Sequence, residues 1–192
     1  MTLTLNQVKT NLKKVDFTTL PKPKKTNKGK RGQLLELALG IANSSKLTDC
    51  VDGELKSFTQ GESIAVTQLK HVLPEIMNHI SFNDSKVGKK LKRTLYVGFD
   101  RKNNYIDSIE LNETTDKTHY KELEEDFNFI CEKIRKCEKL STTTGLNGLL
   151  QIRTKDSKTA NGKYHPIFWE GKQLSDKGYA FYLCGKFGRE LL

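Results

Sequence analysis

Asp49, Glu54 and Lys56 follow one another as Asp-x4-Glu-x-Lys within the stretch DCVDGELKSF. In that stretch Val51, Gly53 and Leu55 alternate with Asp52, Glu54 and Lys56, and a period of two predicts a strand over Asp49 to Phe58 with one charged face. Glu54 and Lys56 then point to the same side. A hard cation such as Mg²⁺ is held by carboxylate oxygens and keeps several of its waters, so Asp49 and Glu54 can supply its protein ligands. A lysine beside them can orient or help deprotonate an attacking water and stabilise charge that develops at phosphorus. That is the chemistry of phosphodiester hydrolysis. Asp52 falls on the Glu54 face by the same parity and rivals Asp49 as the ligand. A short string of this kind also suits a solvated edge strand carrying an ordinary ion pair.

The elements that must position these side chains surround them in sequence. Leu5 to Val15 has apolar residues at helical intervals and predicts a short amphipathic helix. Gly32 to Ile41 is strongly apolar around the single acid Glu36, which predicts a buried helix. Ser63 to Thr67 reads as a strand and Gln68 to Asn78 as a helix interrupted at Pro74. Thr94 to Phe99 and Tyr105 to Leu111 predict a hairpin turning at Arg101 to Asn104. Tyr120 to Leu140 carries the longest helical stripe, Leu149 to Arg153 and Tyr179 to Cys184 read as strands, and Lys186 to Leu192 as a tail helix. The polar segment Thr154 to Lys163 has few packing residues and is a candidate ligand-contacting loop.

Charge points the same way as the carboxylate cluster. The chain has 192 residues with 33 Lys plus Arg against 23 Asp plus Glu, a formal net charge of +10, the electrostatic footprint of a nucleic-acid binder. The excess is concentrated in PKPKKTNKGKR (Pro21 to Arg31) and SKVGKKLKR (Ser85 to Arg93), where Lys28, Lys30, Lys92 and Arg93 are expected to meet phosphates, with Lys186 joining them from the tail. No apolar run approaches a bilayer span and no signal core is seen, so the expectation is a cytoplasmic protein of one domain with no membrane partner. Cys50, Cys131, Cys137 and Cys184 make no paired motif, and His71, His79, His119 and His165 show no ligand spacing, so neither disulfides nor zinc are indicated.

Five segments in order resemble one family. KGKRGQLLELALG (Lys28 to Gly40), GELKS (Gly53 to Ser57), VGKKLKRTLYV (Val87 to Val97), LLQIRTK (Leu149 to Lys155) and GYAFYLCGKF (Gly178 to Phe187) are similar to segments of the MutH-like endonucleases. That family includes a mismatch-repair strand-nicking enzyme and type II restriction enzymes cutting at GATC. The resemblance implies an α/β fold with a restriction-endonuclease-like PD-(D/E)xK core, a mixed sheet flanked by helices, and two lobes around a DNA cleft. It implies Glu36, Asp49, Glu54, Lys56 and Lys90 as catalytic residues, with Asp49, Glu54 and Glu36 holding Mg²⁺. It also implies that Arg153 and Lys155 read bases of double-stranded DNA and that Tyr182 senses the adenine or its methylation. Two departures stand out: the interval from Asp49 to Glu54 is shorter than in the family, and Thr154 stands where the family has proline.

Within this reading a restriction enzyme that cuts both strands is favoured over a repair nickase switched on by a partner ATPase. A noncatalytic DNA-binding module and an RNA-binding protein are readings from other classes. The second lacks the interleaved aromatics expected for stacking on single strands.

Overall fold

Strand β3 (Arg93–Phe99) is buried over six of its seven residues and organises the first sheet. In the computed structural model, which describes residues 3–21, 29–42, 46–136, 139–156 and 158–191, β3 pairs in parallel with β1 (Glu54–Thr59) and antiparallel with β4 (Tyr105–Asn112). The sheet order is β1-β3-β4. The β1–β3 register sets Glu54 opposite Thr94 and Lys56 opposite Tyr96.

Helices α1 (Leu5–Leu12) and α2 (Gly29–Ala38) cover one face of this sheet. Leu5, Val8 and Leu12 of α1, spaced at helical intervals, and Leu35 of α2 pack with Leu55, Leu95, Val97 and Phe99. Thr4 and Gln7 form a capping box that satisfies the first amides of α1. The expectation of a buried helix over Gly32 to Ile41 is corrected here. Leu35 and Leu39 are buried but Leu37 is 60% exposed, because α2 lies on the surface with one side to the sheet and the other to solvent.

The second sheet is antiparallel, in the order β2 (Ile64–Gln68), β9 (Tyr179–Leu183), β6 (Leu150–Thr154), β5 (Thr143–Thr144). Its inner residues Ile64, Val66, Leu150, Ile152, Phe181 and Leu183 share a larger core with the long helix α5 (Lys117–Lys136) through Leu123, Phe127, Ile130 and Ile134. A 3-10 turn at Leu69–His71 and α3 (Leu73–Met77) follow β2. Pro74 stands in the first turn of α3, so it starts that helix where the sequence suggested it would interrupt one. Helix α4 (Lys86–Leu91) leads directly into β3, and α6 (Gly185–Glu190) closes the described chain. A separate hairpin of β7 (Ile167–Trp169) and β8 (Lys172–Ser175) has no counterpart in the sequence reading. The molecule is thus mixed α/β, with a mixed sheet flanked by helices. Among the described residues, no helix is long and apolar enough to cross a membrane.

Candidate active site

Strand β1 begins at Glu54, so the expected strand from Asp49 is shortened, and Asp49 lies in the bend before it. That bend is pinned: Cys50 is buried, its amide donates to the Gly53 carbonyl at 2.9 Å, and the Val51 amide donates to the Leu3 carbonyl at 2.9 Å. Gly53 has no room for a side chain, since a Cβ there would lie 2.2 Å from Leu5 Cδ1 and 2.6 Å from the Arg93 carbonyl oxygen. The close pass of α1 against the starts of β1 and β3 therefore requires glycine at this position.

The bend folds Asp49 back onto Glu54. The Asp49 amide donates to Glu54 Oε2 at 3.2 Å, and the Leu55 amide donates to Asp49 Oδ2 at 3.1 Å. Glu54 is 1% exposed, and its Oε1 accepts from both Lys56 Nζ and Lys90 Nζ, the latter at 2.8 Å. Lys90 reaches the site because α4 ends where β3 begins, beside the Glu54–Thr94 register pair, with Thr94 Oγ1 donating to the Lys90 carbonyl at 2.9 Å. Helix α4 is held by Ser85, which caps it through the Gly88 amide at 3.0 Å. Helix α2 passes beside β1 at Gly32, where a Cβ would sit 3.4 Å from Ser57 Oγ, and Glu36, one turn further on, interacts through its charge with Asp49, Lys56 and Glu54.

The electrostatics mark these groups as one cluster. Burial, then the charges of Asp49 and Glu54, push the Glu36 carboxyl above the usual carboxylate range, with Lys56 partly opposing. Burial and the Glu54 charge push Asp49 up as well, against the pull of Lys56, the Leu55 amide and Lys90. Burial by itself would lower Lys56. The carboxylates of Glu54, Asp49 and Glu36 outweigh it, so its ammonium is held protonated above the ordinary lysine value.

Asp52, which parity made a rival ligand, points elsewhere. Its Oδ1 accepts the Leu5 amide at 2.7 Å and its Oδ2 pairs with Arg93, so it ties α1 to β3. The structure joins Asp49, Glu54, Lys56 and Lys90 by hydrogen bonds and sets Glu36 of α2 within the range of their charges. Among the described residues no three His, Cys, Asp or Glu side chains form a ready-made metal-ligand group.

The second sheet turns a polar row outward. Gln151 and Arg153 of β6 sit opposite Tyr182 and Ala180 of β9. The Arg153 guanidinium and Lys155 ammonium lie over the Tyr182 ring, 5.1 and 5.8 Å from its centroid. Burial pushes the Tyr182 phenol up, with Arg153 opposing, so it stays a neutral hydrogen-bonding group. Lys155 is lowered by burial and by repulsion from Lys56. Sequence reasoning missed Ser63, whose Oγ accepts from Gln151 Nε2 at 3.0 Å and from Arg153 at 3.3 Å. Gln151 was findable, being two residues before Arg153 on one strand; Ser63 comes from a different element and left no local signal.

The lysines and arginines expected at phosphates fare unevenly. Arg93 is engaged internally by Asp52, Glu110 and Asn6. Arg31, the last residue of the first basic run, turns inward to Thr59 Oγ1 at 3.0 Å and Asn103 Oδ1 at 3.1 Å, over the Phe99 ring. Lys30 is exposed. Lys92 and Lys186 are exposed and pair at the surface with Glu113 and Glu190. Lys28 lies outside the described residues, as does Cys137; Cys50, Cys131 and Cys184 are buried free thiols.

No protein-family model matches the chain, and no curated protein matches it.

Proposed function

We propose that the chain is a Mg²⁺-dependent, sequence-specific DNA endonuclease with a restriction-endonuclease-like PD-(D/E)xK core of the MutH-like type, whose two sheets belong to two lobes around a DNA cleft. The observation that carries this reading is the meeting of Asp49, Glu54, Lys56 and Lys90 from the bend before β1, β1 itself and the end of α4, with Glu36 of α2 within the range of their charges. Two carboxylates held against each other and partly or wholly buried, Asp49 and Glu54, with the charge of Glu36 close enough to repel them, are costly unless a cation or lysines compensate them. The donor set fits Mg²⁺, being all hard carboxylate oxygen, with Asp49 and Glu54 as the ligands and Glu36 beside them. When bound there, the ion would polarise a phosphodiester oxygen and acidify a coordinated water.

The residues of the chain supply the rest. Lys56, held protonated, donates from Nζ to the attacking water or to a non-bridging phosphate oxygen and stabilises the charge that grows there. Lys90, sharing Glu54 Oε1, holds that carboxylate in place and adds positive charge. Glu36, whose carboxyl burial and the charge of Asp49 raise above the usual carboxylate range, is the group suited to accept a proton from the water at its carboxylate. The water oxygen bonds to phosphorus as the bridging P–O bond breaks, and the leaving oxygen takes a proton from solvent. Arg153 and Lys155 supply donors for guanine edges, and Tyr182 stands between them to meet the adjacent base.

Supercoiled plasmid, unmethylated and adenine-methylated, incubated with Mg²⁺ or EDTA, tests the reading. Defined ends that require Mg²⁺ support it, with linear product meaning a restriction enzyme and slow nicking a repair-type enzyme awaiting an ATPase partner. Tight duplex binding without cutting under any condition would make the chain a noncatalytic DNA-binding module.

A further inference from the structure

A cavity of about 850 Å³ opens between the loop after β6, the start of α3 and the β7–β8 hairpin. Its walls include Phe168, Trp169, Pro166 and Tyr179, with Lys155, His165 and Gln68 as polar groups. The carboxylate cluster makes no use of it. Phe168 is 53% exposed although large and apolar, while Trp169 packs partly against the main core, so one aromatic wall is fixed and the other stands at the surface.

The cavity is a built feature. Asp156 is nearly buried, and its Oδ2 accepts the His165 amide at 2.8 Å and the Gly178 amide at 2.7 Å, while its Oδ1 faces His165 Nδ1 at 2.8 Å. Gly178 is enforced by the Lys155 carbonyl oxygen, which a Cβ would approach to 2.8 Å. These contacts tie the hairpin's entry to the residue that follows Lys155. Lys155 itself lines the cavity and lies over Tyr182, so the opening is continuous with the outward row of Arg153 and Tyr182.

We infer that this cavity receives an unstacked nucleobase of bound DNA, an aromatic wall stacking on its face and His165, Gln68 and Lys155 meeting its polar edge and phosphate. The inference rests on the DNA-binding part of the proposed function. Flat aromatic surfaces suit a base because every base has a π face, and polar groups beside cationic ones suit a nucleotide better than a purely apolar ligand. The volume, within the usual range for small-molecule sites, accommodates a base with its sugar and water.

Trp169 is the chain's sole tryptophan, so tryptophan emission comes from this cavity wall and no other part of the chain. With EDTA present to prevent cutting, a short duplex bearing one unpaired adenine should quench that emission and bind about tenfold more tightly than the fully paired duplex. Phe168→Ala should remove the preference and leave paired-duplex affinity unchanged, the residue being at the surface. Equal affinity for both duplexes with unchanged emission overturns the inference while the endonuclease reading stands. Should neither duplex bind, the endonuclease reading fails, and titration with deoxyadenosine monophosphate decides the cavity separately. Quenching that Phe168→Ala abolishes then supports it. Absence of quenching, or quenching by an apolar peptide or by pyrophosphate in place of the nucleotide, overturns it.

Discussion

Lys90 Nζ and Glu54 Oε1 meet at 2.8 Å although they lie 36 positions apart in the chain. The contact joins α4 to β1 across the parallel register of β1 and β3. Replacing Lys90 by Ala should lower the single-turnover cleavage rate by about a hundredfold or more, the cost typical of losing a positioned charge at a reacting phosphate. Affinity for duplex in EDTA should change by no more than a few fold. Lys56→Ala and Glu54→Gln should behave alike, and loss of duplex binding in a folded variant would refute this division of labour.

Asp49 and Glu36 are carboxyls whose folded values lie above their ordinary ones. A raised carboxyl favours the folded state below its unfolded value, and that contribution is lost as pH rises through the folded value. At neutral and alkaline pH these groups therefore cost stability unless a cation compensates them. Mg²⁺ should raise the Tm more at pH 8 than at pH 5. Asp49→Asn should abolish the gain and itself stabilise the metal-free protein at pH 8. Differential scanning fluorimetry over pH, with Mg²⁺ and with EDTA, checks both statements.

Glu110 shows the opposite shift. Its burial would raise it, but hydrogen bonds and charge from Arg93 and Lys9 win and hold its carboxyl below the usual range. A lowered carboxyl contributes stability above its ordinary value that is lost as pH falls through the depressed one. Glu110→Gln should cost about 1 kcal/mol at pH 7, the scale of a partly exposed ion pair, and nothing once the carboxylate is protonated in strong acid. Urea denaturation at the two pH values measures the difference.

Asp126 is fully buried and accepts three amides, from Asn147 at 2.6 Å and from Leu149 and Leu150 at 2.8 Å each. It thereby fixes the turn that launches β6, and Gly145 leaves it room, since a Cβ there would fall 2.1 Å from its Cγ. Asp126→Asn keeps the shape but presents an NH₂ where one oxygen accepted. It should cost about 1–3 kcal/mol and, by loosening β6, reduce sequence discrimination by Arg153. Chemical denaturation and cleavage of single-base variants of the recognition site test the two parts.

Arg153→Ala should relax discrimination at one base pair by about 1–3 kcal/mol while leaving the salt dependence of nonspecific binding nearly unchanged, because a base-edge contact releases no counterions. Lys30→Ala should do the reverse. A variant series read by fluorescence anisotropy across salt concentrations separates them.

Local periodicity and composition were enough to place α1, β2, β3, β4, β6, β9 and the tail helix, because each carries its own pattern of buried and exposed side chains. The residue pattern also singled out Glu36, Asp49, Glu54 and Lys56, whereas Lys90 was pointed to by the family resemblance alone. It could not choose between Asp49 and Asp52, since parity assumes a strand and the chain is bent there. Only the fold, by pairing Asp52 with Arg93 and the Leu5 amide, gave Asp49 to Glu54. Nor could it show that Arg31 and Arg93 turn inward, or that Ser63 holds Arg153, because those partners lie 17 to 90 positions away. The β7–β8 hairpin and its cavity were equally hidden: three- and four-residue strands are too short to set a period, and their form depends on what the rest of the chain places beside them.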